Sequence, residues 1–206
     1  MSISLTIEDL AASYGARVVW TGVTLTLTRG ETLVVSGANG SGKSTLLRML
    51  AGLQSPLQGR ISYEIDGHTL TPREATPSIG WVAPDLALYR ELTARENLHF
   101  FASVRGLRRD DTAIDALLSR IGLAGRADDL VSVYSSGMTQ RLRYAYALLH
   151  APAILLLDEP TVTLDQRGAA VVAEVIASQR QHGIVVIATN DPSELRFGDY
   201  ILTLER

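Results

Sequence analysis

Residues 32–50 read Thr32-Leu33-Val34-Val35-Ser36-Gly37-Ala38-Asn39-Gly40-Ser41-Gly42-Lys43-Ser44-Thr45-Leu46-Leu47-Arg48-Met49-Leu50. The apolar run 32–35 reads as a strand, and Leu46, Leu47, Met49 and Leu50 give the segment 43–51 a helical pattern that Gly52 stops. Between them, residues 37–44 match the phosphate-loop pattern GxxxxGK[ST], which carries weight because it sits between a strand and a helix. Gly37, Gly40 and Gly42, with Ala38, Asn39 and Ser41, let the main chain wrap an anion. The helix N-terminus directs its amides at the same charge, Lys43 reaches the terminal phosphates, and Ser44, next to Thr45, offers a hydroxyl to Mg2+. A Gly-rich turn that only happens to precede Lys-Ser would not need those flanking elements.

Working outward, residues 4–7 and 24–28 alternate apolar with polar as half-buried strands do, and 61–65 and 79–83 predict further strands. The Pro-, Thr- and Gly-rich stretch between the last two reads as a surface loop. Thr93-Ala94-Arg95-Glu96 has capping-box spacing and opens a helix with Leu98, Phe101 and Val104 on one face. Asp111 is the expected cap of a second helix bearing Ile114, Leu117, Leu118 and Ile121. A helix over 136–149, a buried strand over 154–157, a helix over 165–180, a strand over 184–188 and a last strand near 200–204 complete the pattern. Strands alternating with helices argue for an α/β fold with a parallel sheet.

The 206 residues fit one domain, and 46% apolar with 20% charged residues is an ordinary globular composition. A net charge of -3 without Lys/Arg runs gives no warrant for nucleic acid as a partner. The absence of cysteine excludes disulfides and thiolate chemistry. The first ten residues carry Glu8 and Asp9 and lack the pattern of a signal peptide, and no stretch approaches the roughly 18 to 20 apolar residues that span a bilayer, so a cytoplasmic location is expected. His68, His99, His150 and His182 share no metal-ligand spacing.

Ile154-Leu155-Leu156-Leu157-Asp158-Glu159 is an apolar strand that ends in two acids, at the strand edge where open α/β sheets bind ligands. With a phosphate loop upstream, Asp158 is read as a Mg2+ ligand and Glu159 as the group that polarises an attacking water. Upstream of that strand, Tyr134-Ser135-Ser136-Gly137-Met138-Thr139-Gln140-Arg141 resembles the signature sequence of the ATP-binding cassette (ABC) family. The order of phosphate loop, helical stretch, signature, Leu157-Asp158-Glu159-Pro160 and Thr163-Leu164-Asp165 is similar to that family over nearly the whole chain.

The resemblance implies a phosphate-loop NTPase core with an N-terminal antiparallel β subdomain and an α-helical insertion at about 86–135, all within one domain. It implies an ATPase that uses Mg2+, with Ser135, Ser136 and Gly137 meeting the γ-phosphate held by a second cassette, a homodimer being favoured. A separate transmembrane permease is then the partner, which attaches the chain to the inner face of the membrane. Tyr14 stands where the family places an aromatic against adenine, though an aromatic in a β segment is equally read as core. Leu86, Leu88 and Tyr89 either line the permease groove or pack the insertion. Three positions depart from the family. Pro84 and Asp85 replace the usual Gln, Asp85 being read as a Mg2+ ligand or, slightly favoured, as a helix cap; Asn190 replaces a His; and Ser136 replaces a Gly. Asn190 donates a hydrogen bond but carries no charge, so slow hydrolysis is expected. The look of residues 92–100 is closest to small export cassettes such as the haem-exporter ATPase. A soluble non-transport cassette and an ATP-binding regulatory module stay open as alternatives.

Overall fold

The computed structural model of the chain describes residues 2–15 and 17–205, the side chains of Tyr14 and Arg17 excepted. A long hairpin, β1 (Ile3–Tyr14) and β2 (Arg17–Thr28), joins β4 (Gln58–Ile65) and the short β5 (His68–Leu70) in an antiparallel sheet ordered β2-β1-β4-β5. The first two strands run well beyond the alternating stretches 4–7 and 24–28. A register shift between Ile7 and Leu10 breaks the period of two: Asp9 takes φ 45° and Leu10, Ala11 and Ala12 are buried in succession.

The second sheet is parallel and ordered β6-β7-β8-β3-β9, with β3 (Thr32–Ser36), β6 (Ile79–Val82), β7 (Ile154–Asp158), β8 (Ile184–Thr189) and β9 (Tyr200–Thr203). Its side chains alternate between two cores. Leu33, Val35, Leu156 and Val186 pack with β1, β4 and helix α1 (Lys43–Leu50); there the phenol of Tyr63 donates to the Leu50 carbonyl at 2.8 Å. Val34, Leu155, Leu157 and Ile187 face the other way, toward α5 (Ser136–Leu148) and α6 (Gln166–Arg180), and α3 (Ala94–Val104) and α4 (Asp111–Arg120) extend the same core by packing on α5. The architecture is therefore the α/β, phosphate-loop type, with an antiparallel β layer at its start and helices inserted between β6 and α5.

Four local expectations are corrected. The stretch after β4 is not a bare loop but β5 and a short helix, α2 (Pro72–Ala75), started by a full capping box between Thr71 and Glu74. Asp110, not Asp111, caps α4, its carboxylate accepting from the Ala113 amide at 2.8 Å. Val104 lies 69% exposed at the end of α3, outside the core that holds Leu98. Asp85 caps no helix, since the next one starts at Ala94 under the predicted Thr93–Glu96 box.

Candidate active site

Because β3, β6, β7 and β8 are parallel, their C-terminal ends open on one edge of the sheet. From β3 the chain enters the glycine loop. Gly37 has its Cα hydrogen where a Cβ would stand 2.5 Å from the Leu204 carbonyl, so any side chain would lift the loop off the end of β9. Gly42, the residue before α1, holds φ 95°, a left-handed conformation that costs other residues about 1–2 kcal/mol, and its missing Cβ leaves room for the Trp20 indole. No side chain caps α1, so its first amides stay available to an anion.

The cavity over this loop has a volume of about 580 Å³ and is lined by Val18 and Val19 from β2, by Asn39, Gly40, Gly42, Lys43, Ser44 and Thr45, and by Pro84, Asp158 and Glu159. Lys43, the only lysine in the chain, is 6% exposed and donates to the carbonyls of Gly37 at 2.8 Å and Ala38 at 3.2 Å. Its ammonium also lies 3.9 Å from the Glu159 carboxylate, which puts a compact positive charge on the cavity floor. Ala38 is exposed and does not line the cavity, its carbonyl accepting from Lys43 and from the Ser41 amide, and Ser41 is buried with its hydroxyl unpartnered.

Asp158 closes β7 and is 5% exposed. Burial pushes its carboxyl above the usual carboxylate range, against the Ser44 hydroxyl that hydrogen-bonds to it and the charges of Arg48 and Lys43. Burial likewise raises Glu159, opposed by the Asn190 amide and by Lys43. Glu159 turns the chain out of the sheet at φ 50°, a backbone position that non-glycine residues hold only when their surroundings fix it. Asn190, after β8, donates its side-chain amide to Asn39 at 3.0 Å, and its backbone amide is 3.4 Å from the Glu159 carboxylate. The predicted set Lys43, Ser44, Asp158, Glu159 and Asn190 is thus gathered at one place.

Other predicted residues fall elsewhere. Pro84 faces the phosphate-loop cavity, while Asp85 is exposed and lines a neighbouring cavity with Arg48, Trp81 and Arg105, from where the Asp85 charge still acts on Asp158 and Arg143. The side chain of Tyr14 lies outside the described residues. Ser135 caps α5, its hydroxyl accepting from the Met138 amide at 3.2 Å, and Gly137 sits in the first turn, where a Cβ would meet the Thr163 carbonyl in a tight contact of 3.3 Å. Ser136 lines a separate cavity with Tyr134, Arg143 and Thr163, which shares no lining residue with the first. Val18 and Val19 were invisible to motif reading, because two valines in a strand look like core.

An oxygen-only donor pair, the Ser44 hydroxyl and the buried Asp158 carboxylate, suits a hard divalent cation such as Mg2+, whose remaining ligands come from phosphate and water. Among the described residues no group of three His, Cys, Asp or Glu is placed to hold a metal by itself.

A glycine loop between β3 and α1, facing two acids at the end of β7, defines the phosphate-loop nucleoside triphosphatases. Within that class the chain belongs to the ABC family, whose model, described as ABC transporter, matches residues 20–162. The linearmycin resistance ATP-binding protein LnrL of Bacillus subtilis is 34% identical over 187 residues, a match covering 89% of this chain and 60% of that protein. The cytochrome c biogenesis ATP-binding export protein CcmA of Methylococcus capsulatus is 36% identical, with 89% of this chain and 88% of that one covered. A solved ATP-binding subunit of an ABC transporter superposes with a TM-score of 0.83 at 29% identity, covering 98% of this chain and 85% of that one. No helix among the described residues is long and apolar enough to cross a membrane.

Proposed function

We propose that the chain binds Mg-ATP in the phosphate-loop cavity and hydrolyses it at an interface between two copies, powering transport through a separate membrane-spanning permease. The observation that carries this reading is a separation. Lys43, Ser44, Asp158 and Glu159 line one cavity, while the uncharged N-terminus of α5, the second anion-seeking feature, opens on another. Two copies related by a twofold axis complete each other, each bringing residues 135–137 to the other's loop.

In this account the loop amides and Lys43 hold the phosphates, and the α5 amides of the second copy take charge from the terminal one. Ser44 and Asp158 hold Mg2+, which when bound neutralises charge developing on the phosphates. Glu159 orients a water and accepts its proton, which requires the carboxyl to be ionised despite its burial. Asn190 donates to the γ-phosphate after releasing Asn39. The helices inserted at 86–135 meet the permease, and with them the chain acts as one ATPase unit, peripheral on the inner membrane face. Tyr89, 47% exposed, is offered to that partner, while Leu88 packs into the core behind it. With Asn190 in place of a charged donor, and Pro84-Asp85 in place of Gln, turnover is expected about 10- to 1000-fold below a full set, and Asn190→His should raise it. An Asn190→His variant no faster than wild type contradicts that explanation.

The direct test is steady-state hydrolysis by wild type and Glu159→Gln across protein concentration. Activity that vanishes in the variant and rises faster than linearly in wild type supports a dimerising ATPase; ATP binding without turnover overturns it. The lone lysine adds a binding readout, since Mg-ATP should protect Lys43 from an amine-reactive label.

A further inference from the structure

Glu194 is a carboxylate with no place in the chemistry above, yet it is 2% exposed. It lies in the short 3-10 helix Pro192–Phe197 that follows Asn190, and it reaches across to the loop that leaves β7. One carboxylate oxygen accepts from both the backbone amide (3.1 Å) and the hydroxyl of Thr161, two residues beyond Glu159. The other oxygen is buried without a partner. Burying a carboxylate with half its acceptor capacity unmet costs stability that an apolar residue of the same size would not cost.

The segment it grips needs holding. Glu159 keeps its left-handed backbone at φ 50°, and each following residue is tied: the Glu159 amide donates to the Ala188 carbonyl at 2.8 Å and the buried Tyr144 phenol donates to the Pro160 carbonyl at 2.9 Å. Among the described residues, Thr161 is tied by the Glu194 side chain alone. The loops after β7 and β8 are therefore joined at two points, in front by the Asn190 amide at the Glu159 carboxylate and behind by Glu194 at Thr161.

We propose that Glu194 is a positioning residue for hydrolysis: by accepting both Thr161 donors from inside the fold, it fixes the turn that aims the Glu159 carboxylate into the phosphate-loop cavity, without itself touching nucleotide. This rests on the ATPase reading of that cavity. Besides touching Glu159 and Asn190, Lys43 and the glycine loop are held by the Gly37 and Ala38 carbonyls, so nucleotide affinity should change little when the clamp is removed.

The experiment compares kcat, KM and the Kd of a fluorescent ATP analogue for full-length wild type, Glu159→Gln, Glu194→Ala, Glu194→Gln, Thr161→Val and Thr161→Ser, with circular dichroism as the check on folding. Glu194→Ala and Thr161→Val should lower kcat about 10- to 100-fold with Kd and KM within about twofold of wild type, the size of effect expected when a reacting group is misplaced by about 1 Å. Glu194→Gln, whose amide oxygen accepts the same bonds, and Thr161→Ser, which keeps the hydroxyl, should restore kcat to within about threefold. The double variant Glu194→Ala/Thr161→Val should be no slower than either single one. Should Glu194→Ala fail to fold, the two Thr161 variants decide alone. A kcat for Thr161→Val within about twofold of wild type, or a Kd that rises in step with the loss of kcat, overturns the proposal while leaving the ATPase reading intact if Glu159→Gln is dead. A wild type that hydrolyses nothing removes both.

Discussion

Helices α1 and α5 begin differently from the rest of the molecule and from each other. Helix α2 starts with Thr71 and Glu74, α3 with Thr93 and Glu96, α4 with Asp110 and Asp111, and α6 with Asp165, so each has a carboxylate at its positive end. Neither α1 nor α5 has an acid in its cap or first turn. A carboxylate there would stabilise the helix and repel a phosphate, so its absence agrees with the anion contacts proposed for both ends. Between the two, α1 is left open by Gly42, whereas α5 is capped through one amide by Ser135. In the proposed account the open end carries the phosphate chain within its own copy, and the capped end adds a contact from the second.

The contrast breaks if alanine is tolerated equally at both ends. Gly42→Ala forces a Cβ to within 2.6 Å of the Trp20 indole nitrogen at φ 95°, and should weaken ATP binding at least about 100-fold by shifting the loop. Gly137→Ala, whose Cβ would press on the Thr163 carbonyl at 3.3 Å but lies away from the phosphate loop, should leave the binding of ATP to the isolated chain within about twofold. Titration with a fluorescent nucleotide reads both. A second substitution sharpens the comparison by opposing stability to function. Ser135→Asp keeps the cap and should hold or raise the melting temperature, yet it places a charge where the γ-phosphate of the second copy would sit and should slow hydrolysis about 100-fold. A Ser135→Asp variant that turns over normally would place the signature helix outside the reaction.

The smallest effect expected lies just beyond the far end of α5. Burial, with Arg105 and Arg109 nearby, pushes His150 down to about 4, while its Nε2 faces the Ile79 carbonyl at 3.1 Å and its Nδ1 has no partner. A histidine whose folded pKa is depressed contributes stability that is present above its ordinary pKa and lost as pH falls towards the folded one. Melting temperature should therefore drop over the window from roughly 6.5 to 4, with a shallower drop in His150→Gln. Equal slopes in the two proteins would contradict this.

The phosphate-loop region was legible in the sequence almost residue by residue, because its chemistry is contiguous: strand, glycines, lysine and hydroxyl lie within residues 32–45. The box at Thr93 was legible for the same reason, and the equivalent Thr71–Glu74 spacing was there to be found but was masked by Pro72. What sequence could not deliver depends on distance across the fold. The true length of β1 was hidden by a bulge, Asp85 turned away from the cavity its neighbour Pro84 lines, and no sequence pattern links Glu194 to Thr161, which only the fold brings together across 33 residues.

The central claim is that each working site is shared between two copies, and mixing two inactive chains tests it most directly. Glu159→Gln lacks the water-orienting carboxylate but keeps its signature helix, and Ser135→Asp lacks a usable signature but keeps Glu159. If the site is shared, equal mixing restores hydrolysis to roughly a quarter of wild type, since random pairing makes about half heterodimers, each with one intact site of two. A mixture no more active than the two variants measured apart would contradict the account.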